Sequence, residues 1–118
     1  MAEFDVGKPI YLQMVDRLCD EILSGQYPEE GRIPSVREYS ALLGVNMNTS
    51  FKAFEQLARE GIIYNKRGLG YFVAAGAKDR IEQKKRSDFM SRLPEMFRQM
   101  KLLDIDISDI DREWEKFK

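Results

Sequence analysis

The sequence predicts a mainly α chain with one small β-hairpin, and three observations carry that prediction. Apolar residues recur at helical spacing over residues 9–25 and again over 34–61. Directly after Gly61 the period changes to that of strands, in two aromatic runs around a Gly-containing turn. From Ala77 the helical spacing returns and runs to Phe117.

Each element carries its own boundary chemistry. Residues 1–8 read as a loose arm. Ile10, Met14, Leu18 and Ile22 then recur every four residues, with Tyr11, Val15 and Leu23 widening the stripe. Pro9 suits the first turn of this amphipathic helix, and Gly25 suits its C-terminal cap. Residues 25–34, GQYPEEGRIP, are turn-rich, with Ile33 as the core anchor. Ser35, followed three residues later by Glu38, is a capping box. Tyr39, Leu42 and Leu43 give the helix behind it one apolar face, and Gly44 falls where it would end.

Asn46 or Asn48 can cap the next helix, which runs to Gly61. Its buried face admits two registers: Phe51, Phe54 and Ala58, or Ser50, Ala53, Phe54 and Leu57. Both bury Phe54; they differ over whether Phe51 is core or turned outward. Two short helices joined by a Gly-containing turn form a helix-turn-helix, or else an αα corner of an ordinary helical domain. Ile62-Ile63-Tyr64 and Tyr71-Phe72-Val73 then read as a hairpin with Lys66 and Arg67 at its tip, next to Gly68.

Helix, helix-turn-helix and hairpin, in that order, describe a winged helix-turn-helix. The second helix of such a motif can enter a DNA major groove, and a basic hairpin tip can reach phosphates or the minor groove. Candidate contacts follow from that geometry. Ser35 and Arg37 stand at a helix N-terminus, whose free N–H groups can hold a phosphate. Asn46, Met47, Asn48, Thr49, Phe51 and Lys52 lie on the second helix, and Lys66, Arg67 and Gly68 on the wing. Asn can pair adenine through two hydrogen bonds; the alternative is that the two asparagines serve only as caps.

Charge placement supports this reading. The net charge of −1 is unevenly spread: −5 over residues 1–30, +6 over 31–86 and −2 over 87–118. The helix-turn-helix and hairpin fall in the basic block, which is what phosphate binding needs. The chain contains no histidine and a single cysteine, Cys19, which reads as a small buried hydrophobe. Histidine-based acid–base chemistry, an internal disulfide and nearly every zinc site are thereby excluded, and no cofactor or metal is expected. No apolar run approaches the roughly 20 residues of a membrane helix, and the N-terminus lacks a signal-peptide layout. A cytoplasmic, non-enzymatic protein is expected.

Residues 77–118 read as a two-helix extension that follows a DNA-binding domain over residues 1–76. Lys78, Arg80, Lys84, Lys85 and Arg86 open its first helix. Phe89, Leu93, Met96, Phe97, Met100 and Leu103 continue it, with a kink or restart expected at Pro94. Ser108, with Asp111 three residues on, could cap a last helix carrying Ile110, Trp114 and Phe117. So much apolar surface on a small domain calls for a partner, and a two-fold dimer is the economical one.

With the elements placed, the sequence resembles the N-terminal DNA-binding domain of GntR-family transcription regulators. The matching residues are Pro9-Ile10-Tyr11-Leu12-Gln13, Gly25, Ile33-Pro34-Ser35-Val36-Arg37-Glu38, Leu43-Gly44-Val45, Asn48-Thr49, Leu57-Ala58-Arg59-Glu60-Gly61-Ile62-Ile63 and Gly68-Leu69-Gly70-Tyr71-Phe72-Val73. The resemblance implies a winged helix that binds a palindromic operator as a homodimer. It also implies DNA contacts at Arg37, at residues 46–49 and at Arg67 and Gly68. Met47 stands where many members have arginine, and Ser50 where they have an apolar residue. The Asn46-x-Asn48-Thr49 form is similar to the YtrA-type branch, as is the short tail, which is too small for the effector-binding or aminotransferase-like domains of larger relatives. The expectation is a DNA-binding repressor with no membrane segment and an unknown effector; the alternative is a winged helix that contacts proteins.

Overall fold

The structure, a computed structural model, describes residues 3–118. The elements run α1 (Ile10–Leu23), α2 (Val36–Leu43), α3 (Met47–Arg59), β1 (Ile63–Lys66), β2 (Gly70–Val73), α4 (Ala77–Ser91), α5 (Leu93–Leu102) and α6 (Ile107–Phe117). This is the mainly helical architecture with one hairpin that the spacing predicts. The chain divides into two compact units, one ending at Gln83 and the other spanning Lys84–Lys118.

In the first unit, α1 supplies one wall of the core. Met14, Val15, Leu18, Cys19 and Ile22 are buried on it, whereas Ile10 is exposed. The helix therefore starts its buried stripe one turn later than the spacing suggests, with Pro9 as the N-cap rather than inside the first turn. At the other end Gly25 adopts φ +89, and Gln26 N–H donates to the Glu21 carbonyl at 3.0 Å. Gly25 N–H donates to the Ile22 carbonyl at 3.1 Å, which completes a Schellman closure. The expected loose arm lies partly outside the described residues. Its described part is tied down: Gln13 Nε2 donates to the carbonyls of Asp5 and Lys8 at 2.8 Å, and Asp5 N–H donates to Gln13 Oε1 at 2.7 Å. Lys8 also pairs with Asp16.

Tyr39 and Leu43 of α2 join the same core, along with Ala53, Phe54 and Leu57 of α3. Leu42 is exposed, so the apolar face of α2 is narrower than expected. Phe54 sits at the centre. Its ring meets Tyr39 edge-on at 5.9 Å and Tyr71 at 5.1 Å, so one side chain packs against both α2 and the hairpin. The core closes with Ile33, Ile62, Ile63, Val73, Ala77 and Ile81, and thus runs on into α4.

The strands pair antiparallel in the register Ile63↔Val73, Tyr64↔Phe72, Asn65↔Tyr71 and Lys66↔Gly70. Lys66 therefore ends β1 and does not form the tip. The tip is Arg67-Gly68-Leu69, where Leu69 N–H donates to the Lys66 carbonyl at 2.8 Å and Gly68 has φ +80. A positive φ at the third residue of this turn is the type II geometry, which glycine adopts without strain. The segment expected as plain loop adds a third short edge. Ile33 N–H donates to the Tyr71 carbonyl at 3.0 Å, Val73 N–H to the Gly31 carbonyl at 2.9 Å, and Arg32 bridges Phe72.

In the second unit, the helix that begins as α4 restarts as α5, with Pro94 in the first turn of the new segment, where its missing N–H is harmless. Asp104 takes φ +56 in the turn that follows. The last helix is capped by Asp106 with Asp109, not by Ser108 with Asp111. Ser108 is already helical, and its hydroxyl donates to Asp106 Oδ2 at 2.7 Å. Two overlapping capping patterns stand two residues apart here, and the carboxylate, the stronger acceptor, takes the cap. Met100 is buried; Phe89, Met96, Phe97, Ile110, Trp114 and Phe117 are exposed, and Leu93 is half-buried.

Candidate nucleic-acid interface

The outward surface of the helix-turn-helix starts at the entry to α2. Ser35 Oγ accepts the Glu38 N–H at 3.0 Å, and Glu38 Oε1 accepts the Ser35 N–H at 3.1 Å, which forms the capping box in both directions. The hydrogen bonds from Ser35 hold the Glu38 carboxyl below its ordinary value, with the nearby Arg32 charge adding to the effect. Arg37 is exposed on the first turn. Gly44 then takes φ 70, ψ 38 and turns the chain into α3.

Asn46 is the N-cap of α3: its Oδ1 accepts the Asn48 N–H at 2.8 Å. The side chain of Asn48 is not used in the cap and is exposed. Of the two registers open to the sequence, α3 adopts the second. Ser50, Ala53, Phe54 and Leu57 are buried, while Phe51 is 50% exposed and Met47 47%. Met47, Phe51 and Glu55 follow each other at four-residue spacing, as do Asn48 and Lys52, so the outward face offers apolar, amide and cationic groups together. Thr49 lies half-buried beside them.

A polar interior explains how this register tolerates Ser50. Its hydroxyl, 0% exposed, lies 2.6 Å from Ser40 Oγ of α2, and Ser40 in turn donates to the Val36 carbonyl at 2.7 Å. Each buried hydroxyl is satisfied. Spacing alone gives Ser40 no role, because its partner is ten residues away on another helix. Tyr11, which the spacing places on the apolar stripe of α1, packs against the core and also meets α3. Lys52 Nζ lies 4.4 Å from the centre of its ring, and Ile10, Tyr11, Asn48, Thr49 and Lys52 line one shallow groove.

The wing is fixed to α3 through Tyr71 and Phe54. Arg67 and Gly68 are exposed at its tip. Lys66 stands on one face of the hairpin, its ammonium 5.0 Å over the Phe72 ring. At the junction between α3 and β1, Gly61 has φ +74, and a Cβ there would collide with the Arg80 guanidinium. Among the described residues no cluster of metal-binding side chains occurs, and no helix is long and apolar enough to cross a membrane.

A capped helix-turn-helix with a mixed apolar and polar outward face and a basic wing packed on its second helix defines a winged helix-turn-helix protein. Comparison with known proteins agrees and narrows the class. Residues 10–73 match the family model described as bacterial regulatory proteins, gntR family. The HTH-type transcriptional repressor YtrA of Bacillus subtilis is 31% identical over 105 residues, covering 89% of this chain and 77% of that protein. A crystal structure of a GntR-family protein from Bacteroides thetaiotaomicron superposes with a TM-score of 0.82 at 48% identity, over 92% of this chain and 95% of the other. AraR(DBD), solved in complex with operator ORR3, superposes with a TM-score of 0.54 at 28% identity, over 63% of this chain and 94% of the other. The chain belongs to the GntR family, as a YtrA-like member: a non-enzymatic, DNA-binding regulator of transcription.

Proposed function

We propose that the chain is a sequence-specific repressor that binds an inverted-repeat operator as a homodimer, with residues 1–76 reading DNA and residues 77–118 joining the protomers. The observation that carries this reading is the register of α3. With Ser50, Ala53, Phe54 and Leu57 committed to the core, Met47, Asn48, Phe51 and Lys52 are left on the opposite face, free to meet base edges. Asn46 is used as the cap, so Asn48 carries the amide readout. Thr49 supports it at the helix start, the Ser35 end of α2 and Arg37 take backbone phosphate, and Lys66, Arg67 and Gly68 follow the strand from the wing. The repressor assignment draws on the printed description of the Bacillus subtilis relative.

The dimer draws on the apolar side chains left uncovered in the second unit. Phe89, Met96, Phe97, Ile110, Trp114 and Phe117 form the proposed interface, with Leu93 at its edge and the buried Met100 supporting it from beneath. Selection of bound sequences from random DNA tests the whole reading. An inverted repeat should emerge, bound in the presence of excess competitor and progressively less well as salt rises. If no sequence is enriched at physiological salt while the protein sediments as a dimer, the operator-binding reading fails and a protein-binding role for the winged helix takes its place.

A further inference from the structure

One face of the wing carries a group of side chains that the helix-turn-helix does not use. Alternation along β2 turns Tyr71 toward Phe54 and Phe72 the opposite way. On the Phe72 side, Tyr64 is the cross-strand partner and its ring stacks on Phe72 at 5.9 Å. Lys66 pairs with Gly70 and leans over the same Phe72 ring. From the other edge, the backbone bridge to Phe72 brings in Arg32. Its guanidinium lies against Gly70: a Cβ on that glycine would sit 3.2 Å from Nε and 3.6 Å from Nη2. Gly70, with φ +107, is thus flanked by two cations on one face of the strand.

Two like charges held on one small face repel unless an anion lies between them. Among the described residues, neither Arg32 nor Lys66 forms an ion pair with a carboxylate. Glu38, whose carboxyl feels the Arg32 charge, accepts the Ser35 N–H, and Glu30 accepts the Tyr64 hydroxyl at 3.4 Å; neither closes an ion pair with the two cations. The Phe72 ring lies beneath the Lys66 ammonium, and the absence of a side chain at Gly70 lets the Arg32 guanidinium approach the strand backbone on the same face.

We propose that Arg32 and Lys66 form a two-point clamp across Gly70 for a backbone phosphate of duplex DNA, which makes Arg32 a DNA contact outside both the helix-turn-helix and the wing tip. The inference rests on the DNA-binding reading and adds a residue to it. A clamp of this kind reads charge and strand position, not base identity.

The test uses the full chain and its selected operator, alongside a random duplex, in binding titrations across a salt series. Each phosphate contact contributes about 0.9 to the slope of log affinity against log salt. Arg32→Ala should therefore flatten the slope, by no more than about one unit because Lys66 stays on the same phosphate. Between 50 and 200 mM salt the variant should lose up to about 3.5-fold less affinity than the parent chain. The weakening should be the same factor on operator and random DNA, and Arg32→Lys should restore the slope. An unchanged slope in a normally melting Arg32→Ala protein overturns the clamp, and so does a loss confined to the operator. If the parent chain itself binds no duplex, the DNA-binding reading fails and the clamp fails with it. Flattening by Lys66→Ala alone, with Arg32→Ala silent, would reduce the feature to a single wing lysine and refute the two-point form.

Discussion

Asn48 and Asn46 are the same residue type two positions apart, yet the fold assigns them different tasks. Asn46 Oδ1 is consumed by the helix N-terminus, whereas the Asn48 amide projects from the outward face. Asn48→Ala should then leave thermal stability nearly unchanged, cost about 1–3 kcal/mol of operator affinity, and relax preference at a single base position. Binding titrations against single-base operator variants check this; uniform weakening on every sequence would show that Asn48 meets only phosphate. Ser35 makes the complementary case, a residue whose importance is to the fold. Ser35→Ala removes the cap and should cost about 1 kcal/mol of stability at neutral pH. Because the Glu38 carboxyl is held below its ordinary value in the folded chain, its contribution is present above the ordinary carboxylate range and fades as pH falls through the lowered value. The difference in melting temperature between parent and Ser35→Ala should therefore shrink on acidification, and a gap that widens toward low pH would contradict the capping account.

At the scale of elements, α2 and α3 are held in register by a contact that is partly polar. Ser40 and Ser50 share a buried hydrogen bond at 2.6 Å, next to the Tyr39–Phe54 ring contact. Removing one hydroxyl leaves its partner less satisfied, while removing both leaves a small apolar contact. Ser50→Ala alone should destabilise by about 1 kcal/mol, the low end of the range, because Ser40 keeps the Val36 carbonyl as an acceptor. The double variant Ser40→Ala with Ser50→Ala should be no worse than the single one. Denaturant melts of the four proteins give the coupling directly, and additive losses would show that the two hydroxyls act independently. This contact also marks where sequence reading stops. The caps, the hairpin and the burial of Phe54 were legible because each is decided within a few residues: Ser35 with Glu38, the glycine-bounded turn before Tyr71, and Phe54 on either register. The choice of register was not, because it depends on Ser40, a residue of another helix that gives Ser50 a partner. Arg32 escaped for the same reason. Its place on the wing comes from backbone pairing with Phe72, forty positions away, and no periodicity within residues 25–34 announces it. At the chain end the capping pattern was legible but its frame was not, since Asp106-x-x-Asp109 and Ser108-x-x-Asp111 overlap.

For the molecule as a whole, the decisive fact is that α6 buries none of its residues within the chain. It has 11 residues, below the roughly 12–15 at which isolated helices become even marginally stable in water. Its local supports are modest. The Asp106–Asp109 capping box is solvent-exposed, and the exposed pairs Arg112–Asp109, Lys116–Glu113 and Lys118–Glu115 contribute a few tenths of a kcal/mol each. Ile107, Ile110, Trp114 and Phe117 nevertheless lie along one face at three- and four-residue steps, and the Trp114 and Phe117 rings stack at 6.0 Å. Such a face is stable only when covered, and in the proposed homodimer a second copy of the chain would bring an identical face to cover it. Trp114→Ala removes the largest side chain from that face. If Trp114 is an anchoring residue of the interface, its loss costs about 2 kcal/mol, or a roughly 30-fold rise in the dimer dissociation constant. Sedimentation at micromolar concentration should then show monomer where the parent chain is dimeric, and helical circular dichroism should fall with dilution as α6 loses its cover. Operator affinity should drop with the dimer, since one protomer reads only one half-site. Unchanged sedimentation would remove α6 from the interface and leave Phe89, Met96 and Phe97 as the surface to vary next.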